Sequence, residues 1–382
     1  MNRQKTYALG LVVIFCSLLV FPFVNSRCRF INDIESFENR RLVAAPAFDI
    51  NHLDPFPALY DTFYNDHFNL RSRLIRLHNY FKIAAFKISP LPDKVVIGKD
   101  HWLFLAGEEM QSYTGKNRLT EEELAAFKKE LEYRVRYLAQ RNCEFYLVIA
   151  PCKASVYPEK IGFEYYRLSQ QTWGQQLLDY LSKNSSIKFV NLFDTLVHHK
   201  GDEPLFQTLD NHWNELGGFY AANAVINLMR KDFRGLTPLQ LSDYRLKKEI
   251  ITEGNTQTML GKLSLFKELN ISLIPNKPLK AHDGEKRNYT PVYGFAYGWD
   301  YENVRVQADT AGYKLLIISD SFGAAMFPFL SENFSRTVKI FDAWQYKLNE
   351  EIVAAEKPDA VVVIMDEPIV RNFINNVPKE RR

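Results

Sequence analysis

Apolar positions recur along this chain in different rhythms, and each rhythm predicts a different kind of element. Residues 7–24 form an unbroken apolar run without charge, preceded by Arg3 and Lys5. Such a run approaches the roughly 20 residues that span a bilayer, so it fits a signal peptide or a single anchor. Arg27 and Arg29 on its far side weaken the usual charge asymmetry. Residues 1–26 are read as an uncleaved signal anchor, with the body exported in either case. Further on, Leu59, Phe63, Phe68, Leu70, Leu74, Leu77 and Phe81 return at helical spacing, which predicts one or two helices over 59–86. Thr120-Glu121-Glu122-Glu123 is a capping box, and Leu124, Phe127, Leu131, Val135 and Leu138 follow at three- and four-residue steps. They predict a helix over 121–141.

The rhythm then shortens. Apolar runs rich in β-branched residues at 145–150, 187–193, 315–318, 338–341 and 360–365 read as buried strands. Helical patterns at 171–183, 216–230, about 323–333 and 349–356 separate them. Strands alternating with helices predict an α/β fold, a mainly parallel sheet covered on both faces. Two short apolar runs around Lys99-Asp100-His101 predict a hairpin. Residues 235–310 fit the alternation poorly, being polar with scattered Asn, Gly, Pro and Tyr, and are read as an insertion that shapes a substrate groove. The expected organisation is an anchor (1–26), a helical lead-in packed on the main domain (27–90) and the main domain (91–382).

Composition adds limits. A chain of 382 residues suffices for one large domain with an appendage. Its 28 Phe and 20 Tyr can fill a large core. The net charge of +3, without a long polybasic cluster, gives no reason to expect nucleic acid. Lys379-Glu380-Arg381-Arg382 reads as a solvated tail. Cysteines are sparse, and Cys143 and Cys152 bracket a strand. Nine steps at about 3.3 Å put them near 30 Å apart, beyond disulfide reach. No C-x-x-C spacing occurs, so neither disulfides nor a metal is expected.

Ligands of open α/β sheets bind outside the carboxyl ends of the strands. After the predicted strands come Pro151-Cys152-Lys153, Ser319-Asp320-Ser321, and Asp366-Glu367 with Arg371 a turn later. Ser321 stands on a strand–turn–helix elbow, where a serine can equally be a helix N-cap. Asp210-Asn211-His212-Trp213 offers a carboxylate and an imidazole two residues apart, on one side of an extended loop. Asp210 can equally cap the helix that starts near Asn214. Taken together, Ser321, His212 and Asp210 supply a nucleophile, its base and an orienting acid. Trp213 packs its loop or stacks on a sugar ring. Cys152 is a buried small residue or a reactive thiol.

These segments resemble the SGNH-hydrolase-like family of alginate and exopolysaccharide O-acetyltransferases, the AlgX/AlgJ group. The resemblance is carried, in the family's order, by Glu38-Asn39-Arg40-Arg41, Gly98-Lys99-Asp100-His101-Trp102-Leu103-Phe104, Pro151-Cys152-Lys153-Ala154-Ser155-Val156-Tyr157-Pro158, Asp210-Asn211-His212-Trp213 and Ser319-Asp320-Ser321-Phe322. It implies a three-layer α/β/α domain, with Ser321 as nucleophile, His212 as base and Asp210 as its orienter. Lys153, Tyr157, Trp213 and Arg371 are the candidate substrate-binding residues. The implied activity is acetyl transfer to hydroxyls of a cell-surface or secreted polysaccharide, without a cofactor. An esterase with the same triad, or a non-catalytic polysaccharide-binding or assembly subunit, are the alternatives. The implied donor is a membrane-bound O-acyltransferase partner, and the implied location is periplasmic or otherwise extracytoplasmic, anchored in the cytoplasmic membrane through residues 7–24. Ser319 departs from the pattern, because glycine is common there. The backbone N–H of Ser321 or Phe322 is the candidate oxyanion donor.

Overall fold

A computed structural model describes residues 3–36, 42–50, 53–201, 203–261, 263–291, 300–342 and 345–378. Glu38-Asn39-Arg40-Arg41 and the Lys379–Arg382 tail lie outside them. The chain divides into two compact units, residues 1–95 with 257–265, and residues 96–256 with 266–382.

Among its described residues, the smaller unit holds the helices Arg3–Cys28, Phe56–Asp66 and Arg71–Phe86. The stretch Lys5–Cys28 is long and apolar enough to cross a membrane. The second and third helices are separated because Leu70 adopts φ 64°, a left-handed conformation that ends helical propagation. Asn79 Nδ2 donates to Leu260 O over 3.0 Å, joining the 257–265 segment to this unit.

The larger unit is built on a sheet with seven strands among the described residues: β1 (Glu144–Ala150), β2 (Lys188–Val190), β3 (His282–Asp283), β4 (Glu302–Val306), β5 (Lys314–Ser319), β6 (Arg336–Phe341) and β7 (Ala360–Asp366). Their spatial order is β2-β1-β7-β5-β6-β4-β3. The first five run parallel. Strands β4 and β3 run antiparallel at one edge. These two come from the 235–310 region, which also folds into a two-stranded ribbon, Tyr244–Ile251 against Glu268–Pro275. The predicted 187–193 strand is cut short. Asn191 accepts from Asp194 N–H with its side chain, so residues 192–198 turn into a helix and Phe193 leaves the sheet.

Side-chain alternation along the strands makes the layers. Tyr146, Val148, Leu315, Ile317, Val362 and Ile364 face one apolar cluster. It is roofed by α4 (Glu215–Met229) and α5 (Gly323–Ser331) of a series that begins with α1 (Glu121–Ala139), α2 (Trp173–Asn184) and α3 (Leu192–His198). Phe145, Leu147, Ile149, Leu316, Ile318, Val361 and Val363 face the opposite cluster, together with α1, α2, α6 (Glu350–Glu356) and α7 (Val370–Asn376). The result is the expected three-layer α/β/α arrangement. Every residue of β7 is buried, as a central strand covered on both faces requires.

Local chemistry fixes where the helices begin. Thr120 Oγ1 accepts from Glu123 N–H, and the Glu123 carboxylate accepts from Thr120 N–H. Thr172 and Gln175 repeat the device at α2. Helices α4 and α5 approach closely because Gly218 has no side chain: a Cβ there would lie 2.7 Å from Ala325 Cβ and 2.8 Å from Ala325 O. Gly218→Val should therefore push the two helices apart and destabilise the domain by about 1–3 kcal/mol, read as a lowered thermal midpoint. A variant as stable as the parent would refute the close-packing account.

Candidate active site

The serine elbow is held by a buried carboxylate. Strand β5 ends at Ser319, whose backbone stays extended, so the position makes no demand for glycine's left-handed freedom. Asp320 follows and is buried. Its Oδ1 accepts from Phe322 N–H over 2.8 Å, and its Oδ2 accepts from Tyr346 O–H and Asp366 N–H, both over 2.6 Å. Burial raises its pKa, while these donors and His212 oppose the rise. The turn is thus tied to β7 and to Tyr346 before α5 starts at Gly323. The N-cap of α5 is Phe322, without a side-chain cap bond, so Ser321 is not spent as a cap.

The second half of the site is a loop folded back on itself. Phe206 and Trp213 form an antiparallel bridge. Gln207 N–H donates to His212 O, and Asn214 N–H donates to Leu205 O. Asn214 caps α4 by accepting from Gly217 N–H over 3.0 Å, which leaves Asp210 free of that task. Glu268 accepts from Thr208 Oγ1 and Leu209 N–H, pinning the outer arm of the loop.

The two halves meet. His212 Nδ1 lies 2.6 Å from Asp210 Oδ1, and His212 Nε2 lies 2.6 Å from Ser321 Oγ. Asp210 Oδ1 also accepts from His212 N–H over 3.1 Å, and Oδ2 from Asn255 N–H over 2.7 Å. Burial alone would raise the Asp210 pKa, but the bonds from the His212 ring and from these N–H groups outweigh it and hold the value at about 2. Asp210 is nearly covered, whereas His212 keeps 21% of its side chain exposed. The line therefore runs from a buried carboxylate to an accessible hydroxyl, the arrangement that activates a serine by general-base catalysis.

The other candidates lie elsewhere in the domain's bonding. Lys153 is fully buried, and its Nζ donates to Gln207 O (2.9 Å), Thr208 O (3.2 Å) and Asp210 O (2.5 Å). It fastens the histidine loop from beneath. Tyr157 is buried against Trp102, and its hydroxyl accepts from Leu205 N–H over 2.9 Å. Trp213 packs rather than stacks on a ligand: it is 3% exposed, and its Nε1 donates to Phe322 O over 3.0 Å. That bond joins the histidine loop to the serine elbow. Arg371 reaches away from the triad, to Glu123 Oε1 (3.0 Å), Arg118 O (2.9 Å) and Asn117 O, with its guanidinium 4.2 Å from the Trp173 ring centre. Cys152 is buried, its Sγ 3.0 Å from Ser155 Oγ, and burial pushes its thiol pKa well up, which suppresses a reactive thiolate. All four cysteines are free. Of the two candidate oxyanion donors, Phe322 N–H is already given to Asp320, which leaves Ser321 N–H.

Asn255 N–H and Glu268 belong to the support of the site and were missed by sequence reading. They follow Asp210 by 45 and 58 positions, and no local motif marks them. Among the described residues, no cluster of His, Cys, Asp and Glu is arranged to hold a metal ion.

Comparison with known proteins gives the family. Residues 95–287, about half of the chain, match the family of the SGNH hydrolase-like domain of acetyltransferase AlgX. The chain belongs to this family. The match contains Asp210 and His212 and ends before Ser321. The probable alginate O-acetylase AlgJ of Pseudomonas aeruginosa is 29% identical over 175 residues, covering 46% of this chain and 43% of that protein. Its Pseudomonas putida counterpart is 28% identical over 202 residues, covering 52% and 48%. The matched region thus spans less than half the length of these relatives. In three dimensions, Bacillus cereus PatB1 superposes with a TM-score of 0.53 at 16% identity, over 73% of this chain and 97% of that one, a likeness of fold.

Two outcomes test how the AlgX-family site is held. The Asp210 carboxylate is bound more tightly in the folded chain than its ordinary 3.8. The resulting stabilisation, roughly 2 kcal/mol, is full above about pH 4 and is lost as the pH falls through about 2. Asp210→Asn should therefore show a shallower acid-induced loss of stability in urea titrations between those limits; an unchanged slope would contradict a tightly held carboxylate. Lys153→Met removes the donor to the Gln207 and Asp210 carbonyls and one of the two donors to Thr208 O, which also accepts from Leu103 N–H, and should cost about 2–5 kcal/mol. Fast amide exchange across residues 205–213 should accompany it, and parent-like protection there would remove Lys153 as the fastening.

Proposed function

We propose that this chain is an exported O-acetyltransferase that moves acetyl groups onto hydroxyls of a cell-surface or secreted polysaccharide. The observation that carries the reading is the continuous Ser321–His212–Asp210 line, with both contacts at 2.6 Å, in a chain of the AlgX family. The probable alginate O-acetylases among its relatives supply the substrate class.

The chemistry follows from the positions. As Ser321 Oγ attacks the acetyl carbonyl, His212 Nε2 takes its proton. Asp210 keeps Nδ1–H in place and stabilises the imidazolium. Ser321 N–H, beside the start of α5, is the donor available to the developing oxyanion. The imidazolium then returns the proton to the departing group, leaving acetyl on Ser321. In the second half a sugar hydroxyl gives its proton to His212 and attacks the acyl carbon, and Ser321 leaves with the proton restored. Water in the sugar's place gives hydrolysis, so the acceptor alone separates transferase from esterase.

An exported site cannot draw on cytoplasmic acetyl-CoA, so the donor side requires a membrane-bound O-acyltransferase partner. The apolar helix Arg3–Cys28 supports an anchor in the cytoplasmic membrane and a periplasmic body. No step calls for a metal or a bound cofactor.

The full chain in detergent, incubated with an acetyl-ester donor and oligosaccharide acceptors, tests the reading by mass spectrometry of protein and sugar. Acetyl should appear on Ser321 and then on the sugar. Ser321→Ala should lose the acyl-enzyme and lower turnover roughly 10³- to 10⁶-fold, and Asp210→Asn should lower it about 10²- to 10⁴-fold. Acetate release without any acetylated sugar would identify an esterase. A Ser321→Ala protein indistinguishable from a folded, inactive parent would identify a binding or assembly subunit.

A further inference from the structure

Residues 67–92 contain no Asp or Glu, yet they hold Arg71, Arg73, Arg76, Lys82 and Lys87. The helix Arg71–Phe86 lies within them. At about 100° per residue, Leu74, Leu77, Phe81 and Ala85 fall in a stripe about 80° wide. Arg71 and Arg73 stand about 40° outside its two borders. Ser72, Asn79 and Ile83 are buried on the opposite side. The stripe faces outward: Leu74 is 45% exposed, Phe81 59% and Leu77 64%. Phe86 is exposed too, and its ring centre lies 5.5 Å from that of Phe81. Helical spacing at these positions predicts a packed face, and the face is open.

This helix is tied to the foot of the membrane-length helix Arg3–Cys28. Asn25 follows the apolar run 7–24 and is fully buried. Its Nδ2 donates to Asn69 Oδ1 over 2.7 Å and to Ile31 O over 2.8 Å, and its Oδ1 accepts from Ile31 N–H over 2.8 Å. Asp33 then caps the helix Arg71–Phe86: its Oδ2 accepts from Ser72 N–H over 3.2 Å and its Oδ1 from Arg73 N–H over 3.1 Å. Arg73 Nε donates to Asn32 O over 2.6 Å. Between residues 5 and 28 only Pro22 and Asn25 are buried, so the apolar run is covered only near its far end. The start of the helix Arg71–Phe86 is therefore fixed where the apolar run ends. For a spanning anchor, that level is the boundary between membrane and water.

We propose that the helix Arg71–Phe86 lies in the headgroup layer of the membrane that Arg3–Cys28 crosses, with Leu74, Leu77, Phe81 and Phe86 in the lipid and its Arg and Lys side chains at the level of anionic phosphates. The proposal rests on the anchor part of the proposed function and not on acetyl transfer. An apolar stripe bordered by cations, on a helix without acids, is the pattern of helices that lie in the interface. Long Lys and Arg side chains cover apolar surface with their stems while their charges reach the headgroups. The charge pattern also selects lipid over a second copy of this chain, because pairing two such stripes sets like charges against each other. A single spanning helix lets the body turn about it, and a second contact with the bilayer stops that rotation.

The test uses the full chain in nanodiscs of phosphatidylcholine alone, or of equal parts phosphatidylcholine and phosphatidylglycerol. Each is doped with a phospholipid carrying a diazirine in its acyl chain, either near the glycerol or at the methyl end. After irradiation, mass spectrometry maps the lipid adducts. Adducts on residues 7–24 report on the anchor, and those on 74–86 on the interfacial helix. The near-glycerol probe should mark 74–86, more strongly with phosphatidylglycerol, and the methyl-end probe should mark 7–24 and spare 74–86. Leu77→Glu with Phe81→Glu should lower the 74–86 yield about tenfold or more, because two apolar side chains leave the lipid. The 7–24 yield should stay at the parent level, and so should the thermal midpoint, since both positions are exposed. Lys82→Gln with Lys87→Gln should remove most of the phosphatidylglycerol dependence, each cation near an anionic surface shifting the partition about fivefold. Adducts on 7–24 with none on 74–86 would overturn the proposal and keep the anchor, and adducts on neither would overturn both. Adducts on 74–86 that respond neither to the Glu pair nor to lipid charge would mark chance collision and overturn it. Cross-links between the 74–86 segments of two chains, in place of lipid adducts, would give the stripe to a second copy and overturn it as well.

Discussion

The histidine loop hangs on one buried ammonium. Lys153 donates to the carbonyl oxygens of residues 207, 208 and 210 from its single Nζ atom. A buried cation without partners is very costly, and loop carbonyls turned inward without donors are costly for the same reason. Each defect removes the other. Because Lys153 comes three residues after the end of β1, the loop takes its position from the central sheet rather than from its own short chain. Asp210 and His212 inherit that position.

Buried carboxylates do the corresponding work around it. Asp320 ties the serine turn to Tyr346 and to β7. Glu367 accepts from Ser112 Oγ, Gly174 N–H, Cys152 N–H and Ser155 Oγ, gathering the segments behind the Pro151-Cys152-Lys153 corner. Glu268 holds the far arm of the histidine loop. Burial raises the pKa of Asp320 and Glu268, whereas Asp210 is driven down by its contact with His212. Similar side chains thus divide into clamps, whose donors are mostly neutral N–H and O–H groups, and one orienting acid, whose main partner is an imidazole.

Much of this architecture is legible in the sequence, for reasons that also mark the limits. The parallel strands announce themselves because both faces are covered, so Val361, Val362, Val363 and Ile364 are all apolar. Strand β4 is hidden because it sits near an edge and alternates Asn303 and Arg305 with Val304 and Val306. Ser321 and the Asp210/His212 pair stand out because an elbow and a two-residue spacing are local patterns. Lys153 and Arg371 were both placed by the rule that sites lie beyond strand ends. That rule locates the right edge of the sheet but is silent on direction. Lys153 turns inward to residues 54 to 57 positions away, and Arg371 turns back to α1 across 248 positions. Partners at such separations leave no periodic trace in a single chain.

The sheet is also asymmetric in charge. Its parallel centre is apolar on both faces, with Ser321 just beyond the carboxyl end of β5. Its antiparallel flank places Arg305 and Lys339 on the same face as α5, the helix that starts two residues after Ser321. A catalytic serine needs its hydroxyl hydrogen-bonded to a neutral imidazole, and a cation beside that imidazole would oppose the charge it gains in the transition state. Lys339 instead lies against the Phe327 and Phe341 rings, with its ammonium 5.9 Å and 5.8 Å from their centres.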